Sequence, residues 1–266
     1  MRPRYALEGK TVLITGAAGG IGAGLARAFA AQGVQLVLLD RSAQALQLLA
    51  AQLDTQLAQG ASVQAAVCEL GDDAQVAAFA RDFQDRHGRL DVLLNNAGAE
   101  YPTPLANEAP DAMARWSALL DNNVSSMVRL TRALLPCMGQ GASIINQSSI
   151  WGRTGVADFS AYVASKHAVI GLTRALAFEL APRSIRVNAV CPGWIRTEAA
   201  MRSLRSMAVT QGRSEADVEK DLLALQALPG MLTPDDIAGV YLFLASSDAA
   251  PLTGQSLVAS NGEVMA

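Results

Sequence analysis

The sequence predicts an α/β chain folded around a doubly wound, seven-stranded parallel sheet flanked by helices, and three observations carry that prediction. Short runs rich in Val, Ile and Leu alternate with longer helix-patterned segments along the chain, as strands and crossover helices do. Most of those runs show no polar alternation, which suits strands covered by helices on both faces. No linker rich in Pro, Gly or Ser, no repeat and no low-complexity tract divides the 266 residues. One domain spanning 1–266 is the expected organisation, and its length allows a substantial core.

Residues 11–15 read as the first strand, and a glycine-rich turn delivers the chain to a helix over 21–31. Strand 35–40, helix 43–59, strand 62–67 and helix 72–86 continue the alternation, the helices being rich in Ala, Leu, Gln and Arg, which favour helix. Strands follow at 92–95, 143–147 and 186–190, with a helix over 161–180, and 256–258 closes the sheet. Between Pro192 and Pro234 the rhythm breaks: about forty residues pass without a strand, with helical pattern at 198–207 and 214–228. Insertions of this length are more often functional than idle, so 193–232 reads as a flexible substrate lid. The last helix opens on Thr233 as cap and Pro234 at the first helical position, with acidic residues following.

Composition narrows the function classes. A hydrophobic content of 51% with 17% charged residues belongs to a folded globular protein. A net charge of −3 gives no reason to expect nucleic acid or an anionic membrane as partner, and no apolar run approaches the ~18 residues of a membrane span. The opening Met1-Arg2-Pro3-Arg4 has the basic start of a signal peptide, but the apolar stretch after it is short and runs into glycines, so it reads as a strand. Cys68, Cys137 and Cys191 are scattered and odd in number, forming neither a disulfide framework nor a metal-ligand spacing; a reducing cytoplasm is the expected location. With His87 and His167 as the only histidines, a zinc site or a Ser-His-Asp triad has little to draw on, and no metal is expected.

Two constellations point to chemistry. The first is Thr15-Gly16-Ala17-Ala18-Gly19-Gly20-Ile21-Gly22 between strand and helix. Glycines there let the backbone turn tightly and approach a pyrophosphate, while the helix start supplies amides and the positive end of its dipole. Asp40 ends the second strand about eighteen residues later, where a carboxylate accepts ribose hydroxyls and repels a 2′-phosphate. Arg41 follows and could pair with that phosphate, the main argument for NADP; Asp40 and the absence of a basic side chain at Gly19 favour NAD. The second is Tyr162 and Lys166, four apart, with Ser149 thirteen residues upstream of the tyrosine. Residues i and i+4 share a helix face. A phenol titrates near ~10 when unperturbed; a neighbouring ammonium is expected to lower it towards a useful base.

Together these residues resemble the short-chain dehydrogenase/reductase family in its compact single-domain, Rossmann-type form, over roughly 10–262. The matching motifs are Thr-Gly-x-x-x-Gly-Ile-Gly at 15–22, Asn-Asn-Ala-Gly at 95–98, Ser149, Tyr162-x-x-x-Lys166 and Pro192-Gly193. The resemblance implies a catalytic set of Asn123, Ser149, Tyr162 and Lys166, with Asn123 breaking a helix and holding a water that links Lys166 to solvent. It implies nicotinamide dinucleotide contacts at Gly16, Gly19, Gly20, Ile21, Asp40, Arg41, Glu69, Leu70, Asn96, Ala97, Gly98, Tyr162, Lys166, Pro192, Gly193, Ile195 and Thr197. Glu69 stands where the family usually has Asp, and Ser260-Asn261-Gly262 replaces a usual Asp-Gly-Gly. Substrate is expected beside Glu100, Ser149, Trp151, Arg153, Tyr162 and Trp194, with Phe159 and Arg196 nearby.

The expected activity is reversible, NAD-dependent hydride transfer between a secondary alcohol and its carbonyl compound. Tyr162 moves the proton, Lys166 tunes it and Ser149 steadies the carbonyl. A polyol, sugar or hydroxy acid is the expected substrate, with Arg153 and Arg196 as grips for a carboxylate. The alternatives are an NADP-dependent carbonyl or 3-oxoacyl reductase on the same scaffold, a longer-chain sugar-nucleotide epimerase or dehydratase, which the chain length argues against, and a non-catalytic nucleotide sensor. The resemblance also implies a homotetramer or homodimer packed through helices near 113–134 and 161–180.

Overall fold

A computed structural model of the chain describes residues 5–55, 57, 58 and 60–265. Its strands are β1 (Thr11–Thr15), β2 (Gln35–Asp40), β3 (Ser62–Val67), β4 (Val92–Asn95), β5 (Ser143–Gln147), β6 (Arg186–Pro192) and β7 (Ser256–Ala259). They form one seven-stranded sheet in the order β3-β2-β1-β4-β5-β6-β7, parallel at every pairing. The helices are α1 (Gly20–Ala30), α2 (Ala43–Asp54), α3 (Asp73–His87), α4 (Ala112–Leu120), α5 (Ser126–Leu134), α6 (Ser160–Leu180), α7 (Glu198–Gln211), α8 (Glu215–Ala224) and α9 (Pro234–Ala245). Among the described residues no helix is long and apolar enough to cross a membrane.

Strand period decides which core each side chain joins. Val12 and Ile14 of β1 turn to one face, where Leu25 and Phe29 of α1, Leu46 of α2 and Tyr241 of α9 cover them. Leu13 turns to the other, against Phe79 and Phe83 of α3, Leu130 and Leu134 of α5 and Leu180 of α6. Register repeats the pattern across the sheet: Ile14 lies between Leu38 of β2 and Leu94 of β4. Burying one such side chain stabilises by about 1.5–3 kcal/mol, so the apolar alternation fixes both layers. A third apolar cluster, around Trp151, Phe159 and Trp194, packs against Leu204 and Ala208 of α7 and Val218 of α8.

Helix ends follow side-chain chemistry. Asp72 caps α3 by accepting from the Ala74 and Gln75 amides, and Gly88 ends it at φ 65°. Thr233 and Asp236 form a reciprocal capping box at the start of α9, with Pro234 first. Two helices are shorter than the sequence pattern. The helix expected over 43–59 ends at Asp54, where the Thr55 hydroxyl donates to the Gln52 carbonyl at 2.8 Å; residues 56 and 59 lie outside the described ones. The helix expected over 214–228 ends at Ala224, because the Ala227 and Leu228 amides both donate to the Asn261 carbonyl at 2.9 Å. Between α4 and α5 the chain makes a π-helical turn, Asp121–Ser125, a wider turn that re-aims one side chain.

Candidate active site

Strand order reverses beside β1, and there the carboxyl ends of the strands open a cleft of about 470 Å³, the usual ligand position in such sheets. Gly16 occupies the left-handed region at φ 60°, and a Cβ there would stand 2.8 Å from the Ala97 Cα. The turn is tied to the exit of β4: the Asn96 side-chain amide donates to the Thr15 and Gly16 carbonyls at 2.8 and 3.1 Å. Thr15 Oγ1 in turn accepts from the Asn96 and Ala97 amides. Gly19 caps α1 without a side-chain hydrogen bond, so the first-turn amides meet the cleft without a capping group of their own.

At the far end, the Asp40 carboxylate is held by the Ala18 and Ser42 amides, each at 3.1 Å. Arg41 is 77% exposed and lies 4.0 Å from the Glu69 carboxylate. Open amides, a fixed carboxylate and a groove continuing past Leu70, Ala97 and Gly98 suit a dinucleotide's pyrophosphate and ribose. At Gly98 a Cβ would stand 3.3 Å from Asn123 Oδ1, a tight contact, and 3.5 Å from Lys166 Nζ, so glycine leaves the Asn123 side chain undisturbed. All seventeen residues expected at the nucleotide line this one cleft, through Pro192, Gly193, Ile195 and Thr197.

The other end holds Ser149, Tyr162 and Lys166. Tyr162 and Lys166 project from one face of α6, with Nζ 5.4 Å from the phenol ring centroid. Lys166 is only 3% exposed and donates to the Gln147 carbonyl at 3.0 Å. Gln147 is itself fixed, its side-chain oxygen accepting from the buried Tyr241 hydroxyl at 2.9 Å. Ser149 follows β5, and its hydroxyl accepts from the Trp151 amide at 3.2 Å. Asn123 lies behind the cleft wall, fully buried in the π-turn. Its oxygen accepts from the Ala99 amide at 2.7 Å, and its NH2 donates to the Ala99 carbonyl at 2.9 Å and to Ser165 Oγ at 3.0 Å.

Charge in this corner departs from the sequence expectation. The Tyr162 phenol is pushed above its ordinary value, first by burial and then by the nearby Glu100 charge, with the Ser149 hydroxyl opposing. Burial pushes the Lys166 ammonium down to about 8, against the pull of Glu100. The phenol therefore moves opposite to the expected direction: leaving water and the nearby Glu100 charge both disfavour the phenolate, and the Ser149 hydroxyl offsets only part of that.

Of the expected substrate residues, Glu100, Ser149, Trp151, Tyr162 and Trp194 line the cleft. Trp151 sets its edge against Tyr162 at 5.9 Å and against Trp194 at 5.7 Å, making a rigid aromatic wall. Arg153 does not join them. Its guanidinium turns to β7, donating to the Ser256 carbonyl and hydroxyl at 2.7 Å, and that engagement removes it as a carboxylate grip. Arg196 also lies off the cleft wall and pairs with Glu219 at 2.9 Å. Phe159 is buried behind Trp151. Gln147 and Tyr241, which anchor Lys166, carry no sequence signal of that role; only the position of Gln147 two residues before Ser149 hints at it.

Comparison with known proteins gives one consistent answer. The family model described as enoyl-(acyl carrier protein) reductase matches residues 16–263. The chain is 32% identical to D-beta-hydroxybutyrate dehydrogenase of Cupriavidus necator over 93% of its length and 95% of that relative's. It is 34% identical to 7alpha-hydroxysteroid dehydrogenase of Bacteroides fragilis over 96% of its length and 94% of that protein's. Among solved structures, L-sorbose reductase from Gluconobacter frateurii, complexed with NADPH and L-sorbose, superposes with a TM-score of 0.87 at 26% identity, covering 98% of both chains.

Proposed function

The chain belongs to the short-chain dehydrogenase/reductase family and is an oxidoreductase acting on CH–OH groups, and from that premise we propose that it interconverts a secondary alcohol and its carbonyl compound with NAD. The observation that carries this reading is the convergence of Ser149, Tyr162 and Lys166 at one end of a cleft whose other end is the Asp40 carboxylate. A nicotinamide bound along that cleft accepts or supplies hydride; the protein's part is position and proton management.

Tyr162 Oη gives the substrate oxygen its proton during reduction and takes it during oxidation. Ser149 holds the same oxygen by hydrogen bond. Lys166, anchored on Gln147, presents its remaining N–H groups to the cleft and offers positive charge near the phenol. Asn123 keeps the segment around Gly98 and Ala99 in place. The helices α7 and α8, packed over the aromatic wall, act as a lid that excludes water. A polyol or sugar is the proposed substrate, supported by likeness to a reductase solved with L-sorbose. Met113, Val128 and Phe178, exposed on α4, α5 and α6, support assembly into a dimer or tetramer, which sedimentation measures. Three buried free cysteines support a reducing cytoplasm.

NADP is the second reading, favoured by the exposed Arg41, which a 2′-phosphate could draw from Glu69. Steady-state rates with both nicotinamides over a panel of polyols, sugars and hydroxy acids test the proposal. Faster turnover with NAD is expected, and Asp40→Ala should narrow the difference. A preference for NADP in the unaltered enzyme overturns the NAD assignment; no oxidation or reduction with either overturns the catalytic one.

A further inference from the structure

We propose that Glu100 sets the charge selectivity of this site: its carboxylate accepts a hydrogen bond from a second hydroxyl of a neutral diol or polyol and turns away a substrate carboxylate at that position. The inference deepens the dehydrogenase reading and rests on it.

Placement comes first. Glu100 follows Ala99, whose amide and carbonyl are both held by the buried Asn123 side chain, so the backbone entering Glu100 is fixed. The residue lines the cleft with Tyr162, Lys166 and Trp151. Its carboxyl meets the Ser203 hydroxyl of α7, and its charge acts on both Tyr162 and Lys166. It therefore stands between the proton-handling pair and the helix that covers them. Burial pushes its carboxyl up, while Ser203, Lys166 and Arg202 favour the ionised form.

The neighbouring arginines are engaged elsewhere, and the Lys166 charge is the counter-ion of Glu100 itself. Arg153 is bound to Ser256, Arg196 to Glu219 at 2.9 Å, Arg202 to Glu198 at 2.7 Å, and the Lys166 ammonium to the Gln147 carbonyl. An ionised carboxyl is an acceptor only, with more lone pairs than the Ser203 hydroxyl uses. A substrate hydroxyl finds a partner there. A substrate carboxylate meets like charge in an enclosed site, where repulsion is stronger than in water.

Butane-1,3-diol and 3-hydroxybutyrate share a carbon skeleton and differ in ending as CH2OH or carboxylate, so they isolate the charge. With NAD present, the unaltered enzyme is expected to show kcat/KM at least tenfold higher for the diol. Glu100→Gln, which keeps the shape and loses the charge, should shrink that ratio at least tenfold, chiefly by lowering KM for the hydroxy acid. Ser203→Ala removes the hydroxyl that favours the ionised carboxyl and should shrink the preference in the same direction by a smaller factor, which covers the case of a glutamine variant that melts early; an unchanged ratio there counts against the role of Glu100. Trp151 and Trp194 line the cleft, so quenching of their fluorescence reads binding whether or not a compound turns over. A wild-type preference for 3-hydroxybutyrate, no binding of the diol, or an unchanged ratio in folded Glu100→Gln overturns the role of Glu100 and leaves the dehydrogenase reading intact. Selective binding of the diol, with no compound of the wider panel oxidised by either nicotinamide, supports the charge selectivity and overturns the dehydrogenase reading.

Discussion

Replacing Asn123 by alanine removes a side chain whose polar atoms are all occupied. Its oxygen accepts from Ala99 N and from the Asn122 side-chain amide, and its NH2 serves the Ala99 carbonyl and Ser165. Ser165 keeps its bond to the Tyr162 carbonyl at 2.7 Å, so the loss falls on the part-buried Asn122 side-chain amide and chiefly on the two backbone groups of Ala99. An unpaired buried polar group costs about 1–3 kcal/mol. Ala99 is only half-buried, so water recovers part, and a net loss of about 3 kcal/mol is expected. At roughly 2–4 °C per kcal/mol for a chain of this size, Tm should fall by about 6–12 °C. The freed segment carries Gly98 and Glu100 past Lys166 and Tyr162, and misplacement by about 1 Å can cost 10²-fold in rate. Calorimetry and steady-state kinetics on the same preparation measure both. A variant within about 2 °C of the parent refutes the clamp; unchanged Tm with a collapsed kcat would move Asn123 into the proton relay expected from sequence.

Arg153→Ala should lower stability by about 1–3 kcal/mol in urea unfolding, because the Ser256 carbonyl loses its donor, while KM values for anionic and neutral substrates move together; a selective rise for the anion refutes this. Glu263, half-buried at the C-terminal turn, has its carboxyl pushed by burial from 4.5 up to about 7, with Gln226 opposing. Between those values the folded chain holds a proton that the unfolded chain has released, so stability falls as pH rises across the window. Glu263→Gln should flatten Tm against pH there, and an unchanged slope contradicts the assignment. Since burial and Glu100 hold the Tyr162 proton on, reduction should run well at neutral pH and oxidation should climb towards alkaline pH. Glu100→Gln should move the oxidation limb to lower pH in a pH–rate profile; a shift the other way contradicts the electrostatics.

Legibility in the sequence followed interaction range. The strand runs, the Gly16 turn and the Thr233-Pro234 helix start depend on neighbours a few residues away, and the structure has them where the pattern puts them. The i, i+4 pair on α6 was equally readable as adjacency. Its electrostatics were not, because the burial of Lys166 and the approach of Glu100 are set by β4, β5 and α7 together. Arg153 departs from its expected place for the same reason: its partner Ser256 lies 103 residues away on β7. Tyr241 reaches Gln147 across 94 residues, and no local pattern encodes that. The end of α8 depended on the Asn261 carbonyl, a tertiary contact that outweighed helix-forming residues.

The Tyr162 hydroxyl is the group on which the proposed mechanism depends, exchanging a proton with the substrate oxygen. Turnover of the best alcohol in the panel by Tyr162→Phe, at equal saturation with nicotinamide and with fold verified by Tm, tests it most directly. Removing a general acid–base group should lower kcat by about 10²–10⁴ while nucleotide binding stays within a few-fold. A phenylalanine enzyme turning over at a rate close to the parent's would contradict it.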